Sequence, residues 1–293
     1  MRSLTCLVLA GVCAVTVVPA WAADLPAPSA APQVVEASGW TYRFTPYGWL
    51  TSLNGKQTIR GRSMDVNATF PDIVNATISD GGSLLALMAN MEARNGRLAL
   101  FGDVIAESLT VDKSGFKTRS VTPAIGGTLG AGLDLTFKMA ILEAGAAYEI
   151  GTLGPVAFDV LAGARYWHQD VQAEIALAGT VNVADLDITR GRAIARSGSV
   201  DWLDAFAGVR ARVSIAPNQH IEVRGDLGGG GSRFTWNALA AYAYDFTTRN
   251  GVTYSGVLGY KAMYVDYVKG SGATRYGFDM LQHGPVLGFS VRF

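Results

Sequence analysis

Apolar and polar residues alternate one by one along most of the chain between Trp40 and Phe293. In the segment 40–45, three aromatic residues alternate with two threonines and one arginine. Successive side chains of a β-strand point to opposite faces of its sheet, so a period of two indicates a strand with one apolar and one polar face. The pattern therefore predicts an all-β protein.

Later segments repeat this alternation. In each of them one set of alternate positions is apolar, and the other carries charged residues and glycine: 85–93, 98–106, 142–150, 160–166, 203–213, 221–227, 234–244, 258–264 and 287–293. Short alternating segments separated by turn residues are typical of a transmembrane β-barrel. A soluble β-sandwich also alternates, but it seldom carries this many charges opposite an apolar face.

The lengths of the connections predict an antiparallel up-and-down barrel of about ten strands. Four short turns (95–96, 151–155, 216–218 and 247–251) alternate with long connections at 112–132 and 179–198. Short turns belong on the periplasmic side and long loops outside, which makes Leu53 to Gly82 an extracellular excursion. Gln57 to Ala68 could instead cross the membrane and give about twelve strands, whereas merged segments would give about eight. Phe70 to Val74 is predicted to form a short helix or turn.

The first 22 residues have the features of a secretory signal peptide. Arg2 precedes an apolar stretch at 4–18, and Ala20 and Ala22 supply the small residues of a cleavage site before Ala23. The proline- and alanine-rich residues that follow show no apolar period. We therefore predict a signal peptide at 1–22, a disordered periplasmic tail at 23–39 and a barrel at 40–293.

The amino-acid composition argues against several classes of function. Both cysteines, Cys6 and Cys13, lie in the signal peptide, so the mature chain has no disulfide, thiol nucleophile or thiolate metal ligand. The formal net charge of zero argues against a nucleic-acid partner. We expect no cofactor and no metal site.

The last strand has a distinctive ending. Leu287, Phe289, Val291 and Phe293 share one face, and the final residue is aromatic. This ending resembles the terminal signal that the barrel assembly machinery reads in bacterial outer-membrane proteins. The resemblance implies insertion by that machinery, and outer-membrane lipid and lipopolysaccharide as the surroundings of a monomeric barrel.

The inward faces are densely charged, with nearly equal numbers of both signs. The candidate charge network of the lumen comprises Arg43, Glu92, Arg94, Asp103, Glu143, Asp159, Arg165, Asp204, Arg210, Glu222, Arg224, Asp226, Lys261 and Arg292. Paired charges could fill a narrow bore and leave a rigid, plugged scaffold with a structural or envelope role. The alternative is a narrow porin-like channel for small polar solutes. No ring of a single sign is present, so no ion selectivity is predicted.

Catalysis is not expected. The chain has three histidines, and His168, which lies near Asp170 and the outer end of its strand, is the best candidate for a lipid A-modifying or other hydrolase. His220 follows a short turn, which places it on the periplasmic side, and His283 has no nucleophile beside it. The aromatics expected as membrane-interface anchors are Trp40, Tyr148, Trp167, Trp202, Trp236 and Tyr264.

Several short motifs carry a narrower resemblance. They are Gly163-Ala164-Arg165-Tyr166-Trp167, Asp201-Trp202-Leu203-Asp204, Arg224-Gly225-Asp226-Leu227-Gly228-Gly229, Thr235-Trp236 and Gly284-Pro285-Val286-Leu287-Gly288. In these the chain resembles a family of alphaproteobacterial outer-membrane β-barrel proteins of unassigned function, over Trp40 to Phe293. The resemblance implies fold and location, and no defined substrate.

Overall fold

The structure, a computed structural model, describes residues 39–79, 83–112, 130–178 and 192–293. The predicted signal peptide and nearly all of the predicted tail lie outside these ranges.

Twelve strands form one antiparallel sheet within the described ranges. In chain order they are β1 Thr41–Trp49, β2 Ser52–Ile59, β3 Arg62–Ala68, β4 Ser83–Asn95, β5 Leu98–Asp112, β6 Gly130–Leu153, β7 Val156–Ala178, β8 Arg192–Ala216, β9 Gln219–Gly230, β10 Phe234–Arg249, β11 Val252–Lys269 and β12 Tyr276–Arg292. Ten of them, β1 and β4 to β12, pair in chain order, and β1 pairs with β12 to close the barrel. The prediction of about ten strands is confirmed.

The two ends of the barrel differ. Four tight turns, at residues 96–97, 154–155, 217–218 and 250–251, lie at the same end as Thr41 and Phe293, and we call this the turn end. Asn250 and Gly251 both have positive φ, as a two-residue hairpin turn with the twist of its strands requires. The opposite end, where β5 leads to β6 and β7 to β8, is called the loop end.

The outward surface is apolar, as the alternation predicts. Exposed aliphatic and aromatic side chains cover it, among them Tyr42, Phe44, Leu85, Leu87, Leu100, Leu142, Tyr148, Leu203, Val209, Leu227, Leu258 and Phe289. The residues between them in sequence point inward and are mostly buried. A barrel that is apolar outside and charged inside suits a bilayer as its surroundings.

The excursion between β1 and β4 adds two strands without adding a crossing. β1 pairs with the turn-end half of β12, from Val286 to Arg292, and β2 continues along the loop-end half, from Gly277 to His283. β1 and β2 thus pair one after the other along the same edge of β12, and β3 folds back on β2 as a hairpin. The alternative of about twelve barrel strands is therefore wrong.

Helix α1, Phe70–Ser79, follows this hairpin and confirms the predicted helical segment. Its start is a capping box: the Thr69 backbone N–H donates to the Asp72 carboxylate at 3.1 Å, and the Asp72 backbone N–H donates to the Thr69 hydroxyl oxygen at 3.4 Å. These hydrogen bonds hold the pKa of Asp72 below its usual range. Among the described residues, no helix has the length and hydropathy needed to cross a membrane.

The helix packs against the inward face of the barrel wall. Ile73 is buried in a cluster with Ala68 and with Leu109 of β5, and Leu53 and Phe137 pack against it. Ala68 precedes the capping residue and Ile73 lies in the first turn, the arrangement of a hydrophobic staple that fixes how the chain enters the helix. The excursion thus contributes apolar side chains to the interior at the loop end.

A second apolar cluster fills the loop-end half of the bore. Its fifteen buried members include Trp49, Met88, Ile105, Met139, Ile141, Trp167, Trp202, Met263, Tyr267, Phe278 and Met280. Trp202 stacks on Tyr267 with ring centroids 4.0 Å apart, and Trp167 meets the edge of Phe278 at 6.4 Å. The expectation that Trp167 and Trp202 anchor the membrane interface is wrong, because both occupy inward positions of their strands.

Replacing Trp167 with Ala should destabilise the barrel by about 3–5 kcal/mol, because a fully buried ring is lost and a cavity remains. Tyr166→Ala, one residue away on the outward face, should lower the free energy of unfolding by much less. Equilibrium urea unfolding, followed by the migration of the folded band on a gel, measures both. Equal losses in the two variants would show that Trp167 does not lie in a packed interior.

Candidate functional site

The turn-end half of the bore contains a network of arginine and carboxylate side chains. At its centre is Asp159 of β7, which is 1% exposed. Its carboxylate lies 3.1 Å from the Arg94 guanidinium of β4, 2.8 Å from Arg210 and 3.0 Å from Arg212, both of β8. Three arginines thus share one buried carboxylate, and hydrogen bonds from all three accompany the charge pairing.

Other pairs of this network cross the bore. Glu92 of β4 binds Arg210 of β8, although three strands separate these two along the wall. Arg43 of β1 lies 3.3 Å from both Glu92 and Glu222, the second of which is on β9. The Glu92–Arg210 and Arg43–Glu222 pairs join strands that are not neighbours and so link the walls across the bore, whereas Arg43 and Glu92 lie on the paired strands β1 and β4.

A second group of charges lies nearer the middle of the barrel. Arg165 of β7 is fully buried, 2.8 Å from Glu143 of β6 and 2.7 Å from Asp226 of β9. Arg224 of β9 binds the same two carboxylates, at 2.8 Å in the case of Asp226. Two cations and two anions are thereby held together; Arg165, Glu143 and Asp226 are buried, and Arg224 is 10% exposed.

Two inward phenylalanines support this group. Arg165 lies over the Phe206 ring at 4.8 Å, and Arg224 lies over the Phe101 ring at 5.0 Å. The rings have room because Gly145 and Gly163 face them: a Cβ on Gly163 would come within 2.7 Å of the Phe206 ring. Alternation alone shows that the two phenylalanines and the two glycines point inward. It does not show that each phenylalanine ring packs against a glycine.

The remaining members of the predicted network lie apart from these two groups. Lys261 of β11 is 3.6 Å from Asp103 of β5, which also accepts a hydrogen bond from the Tyr47 hydroxyl at 2.8 Å. Asp204 accepts hydrogen bonds from the Trp202 indole and the Ser232 backbone, and no cation pairs with it within the described ranges. Arg292, at the turn end, pairs with Asp245 at 3.3 Å.

The structure thus brings thirteen of the fourteen predicted charges into ion pairs, in two groups and two outlying pairs, with Asp204 as the exception. The network has three further members: Glu149 and Arg212, which alternation also places on the inward face, and Asp245. Sequence reasoning missed Asp245, although it alternates with the outward residues Tyr244 and Phe246. The choice of partner across the bore, by contrast, has no signal in the sequence.

The histidines lie in three different surroundings. His168 alternates with the buried residues Trp167 and Gln169, which places it on the outward face and away from the inward network. His283 is also outward, and its ring nitrogens contact Asn54 at 2.9 Å and the Tyr260 hydroxyl at 2.6 Å. His220 lies at the turn end, as predicted.

His220 is part of a hydrogen-bond chain at the mouth of the bore. Its ring nitrogens lie 3.2 Å from the Asp245 carboxylate and 3.4 Å from the Ser214 hydroxyl. Asp245 also accepts a hydrogen bond from Ser255 at 2.6 Å. This chain connects β8, β9, β10 and β11 where they meet the turns.

A cavity of about 350 Å³ occupies the turn-end half of the bore. One wall carries the charged groups, including Arg43, Arg94 and Arg210, and the other carries small and apolar side chains from β10 and β11. The cavity extends from His220 and Arg292 at the turn end to Tyr47 and Val286 in mid-barrel, where the apolar cluster begins. The bore is therefore divided into a half with a cavity and a filled half.

The residues of the predicted assembly signal lie on the outward face of β12. Leu287, Phe289 and Phe293 are 52%, 46% and 58% exposed, and Val291 is half-buried. Phe293 exchanges backbone hydrogen bonds with Tyr42, and the two rings stack at 5.7 Å. The terminal strand thus closes the barrel against β1.

The closed antiparallel sheet, its apolar exterior and its charged interior are the features of a bacterial outer-membrane barrel. The outer membrane is the location of this protein. In lipid, only helices and closed barrels satisfy every backbone polar group, and the ten-stranded closure meets that requirement.

Comparison with known proteins finds no matching family model and no curated protein with a similar sequence. Among solved structures, the chain is similar to the outer membrane protease OmpT from Escherichia coli, with 7% identity, a TM-score of 0.42, and 88% of this chain and 97% of that one covered. It is also similar to Ail, the attachment invasion locus protein of Yersinia pestis, with 13% identity, a TM-score of 0.33, and coverage of 87% and 99%. Likenesses this distant carry no argument about activity.

Asp159→Asn should destabilise the barrel by about 3–5 kcal/mol, because three arginines, of which Arg210 is buried, lose their shared counter-charge. The matched control is Asp65→Asn, which removes one partner of an exposed pair with Lys56 and should cost about 0–1 kcal/mol. Both are measured by urea unfolding in lipid vesicles. A loss for Asp159→Asn no larger than for the control would contradict the structural role of the network.

Proposed function

We propose that this protein is a sealed, monomeric outer-membrane barrel with a structural or envelope role. In this proposal it is inserted by the barrel assembly machinery and surrounded by outer-membrane lipid and lipopolysaccharide. The turn end faces the periplasm and the loop end faces outward, because short turns are periplasmic in such barrels. The proposed role requires no catalysis and no cofactor.

The observation that carries the proposal is contact between opposite walls in the loop-end half. The Tyr276 hydroxyl of β12 donates to Gln169 of β7 at 2.8 Å, and both side chains are buried. Trp167 and Phe278 link the same two strands, and neither is more than 2% exposed. Side chains packed this closely leave no path for a hydrated solute.

The ion pairs support a rigid scaffold in the other half. Arg210 and Glu92 join β8 to β4, and Arg43 and Glu222 join β1 to β9. A pore-lining charge would be expected to face water, whereas Asp159, Arg165 and Asp226 are 1%, 0% and 3% exposed. Their charges are neutralised inside the protein.

A narrow channel for small polar solutes is the second candidate, and the cavity at the turn end favours it. Such a channel would have to continue past Trp49, which lies under Lys261 and donates from its indole to the Lys261 carbonyl at 3.2 Å. It would also have to displace Trp167 and Phe278. The sealed barrel needs no such rearrangement.

The narrower family resemblance is part of the proposal. We propose that the chain belongs to the alphaproteobacterial outer-membrane family whose motifs it carries. The motif at 163–167 supports this through its structural roles, because Gly163 makes room for Phe206, Arg165 is the buried cation and Trp167 lies in the apolar cluster.

A planar-bilayer recording of the purified barrel tests the seal. We expect no stepwise conductance, because the apolar cluster leaves no continuous aqueous path. A conducting porin inserted under the same conditions is the positive control, and gel migration of the folded band shows that the sample is intact. Discrete, reproducible conductance steps would refute the sealed barrel and support the channel.

A further inference from the structure

The cavity at the turn end exposes the cationic side of the charge network. Seven arginine and lysine side chains line it but only four carboxylates. The acidic partners Glu143, Asp159 and Asp226 lie behind the arginines in the wall and are at most 7% exposed. The carboxylates hold the guanidinium groups in place, and the guanidinium edges face the cavity.

Some of these edges have hydrogen-bonding capacity left. Arg43, Arg94 and Arg212 line the cavity, and 32%, 17% and 27% of their side-chain surfaces are exposed. A guanidinium group carries five N–H donors, more than the hydrogen bonds of Arg43 and Arg212 occupy. An acceptor in the cavity would bind the exposed donors.

The opposite wall has different chemistry. Leu239, Ala241 and Ala243 of β10 and Val257 of β11 line it with small apolar side chains. An inorganic anion would leave this wall facing water, whereas an apolar group would cover it. The two walls together fit a molecule that is anionic on one side and apolar on the other.

We propose that this cavity binds a small organic carboxylate with a compact apolar body, such as an aromatic acid. Its carboxylate pairs with Arg43, Arg94 and Arg212, and its apolar body packs on Ala241 and its neighbours. A cavity of about 350 Å³ is at the small end of the range for ligand sites, which suits a single-ring acid.

The ligand enters at the turn end, where Thr41, His220 and Arg292 surround the mouth. The loop-end side of the cavity stops at the apolar cluster. The proposed function bears on this inference only through orientation, since it makes the turn end periplasmic. Binding itself does not depend on which compartment the mouth faces.

Isothermal titration calorimetry of the purified full-length barrel with benzoate tests the proposal. We expect saturable binding at one site with a dissociation constant on the order of 1 mM or tighter. Benzyl alcohol has the same ring without the charge, and inorganic phosphate has charge without the ring, so both should bind at least about tenfold more weakly.

Two substitutions on β10 locate the site. Ala241→Phe places a ring in the cavity without removing a charged side chain and should weaken benzoate binding at least about tenfold. Ala240→Phe, one residue away on the exposed outward face, should leave binding unchanged. Arg43→Gln should weaken benzoate but not benzyl alcohol.

Three results would overturn the proposal. They are the absence of saturable benzoate binding by the folded barrel, equal binding of benzoate and benzyl alcohol, and equal effects of Ala241→Phe and Ala240→Phe. The conductance recording and the binding experiment test different claims. A barrel that conducts but binds benzoate refutes only the proposed function, and a barrel that neither conducts nor binds benzoate refutes only this inference.

Discussion

Pairing of arginine with carboxylate across the bore is the interaction on which the rest of the structure depends. A ten-stranded barrel in lipid has an apolar exterior, so its charged side chains have only the interior to occupy. Burial of a charge is tolerated only when a partner and further hydrogen bonds compensate the lost water. Asp159 meets this condition with three arginines, and the Arg210–Glu92 and Arg43–Glu222 pairs extend it from wall to wall.

The two halves of the bore are occupied by different kinds of side chain. In the turn-end half, planar guanidinium groups stack on Phe101 and Phe206 and bind carboxylates, which leaves a cavity along the wall formed by β10 and β11. In the loop-end half, aromatic rings and methionines fill the space. The excursion between β1 and β4 adds to this filling, because helix α1 directs Ile73 onto the inward residue Leu109. A cavity open at the turn end and closed at its far side is the consequence.

Alternation was sufficient to predict the barrel and the inward position of every charge in the candidate network, and the lengths of the connections were needed for the strand number. Alternation places Trp167 and Trp202 on the inward face, two residues from Arg165 and Asp204, but an aromatic side chain suits both a membrane interface and a packed interior, so residue type alone did not identify them as core residues. Nor could alternation pair Arg43 with Glu222, which are 179 residues apart and belong to strands that are not neighbours. Contacts across the bore depend on barrel closure and stagger, which no local pattern records.

Cysteine accessibility tests the division of the bore most directly, because both native cysteines lie in the predicted signal peptide and the mature chain offers a cysteine-free background. Single substitutions Ala241→Cys and Ala243→Cys sample the cavity, and Ile141→Cys and Met263→Cys sample the apolar cluster. With a small, charged thiol reagent on the folded barrel, the first two should be labelled and the last two should resist until unfolding. Labelling of Ile141→Cys and Met263→Cys at the rate of Ala241→Cys would contradict the sealed half.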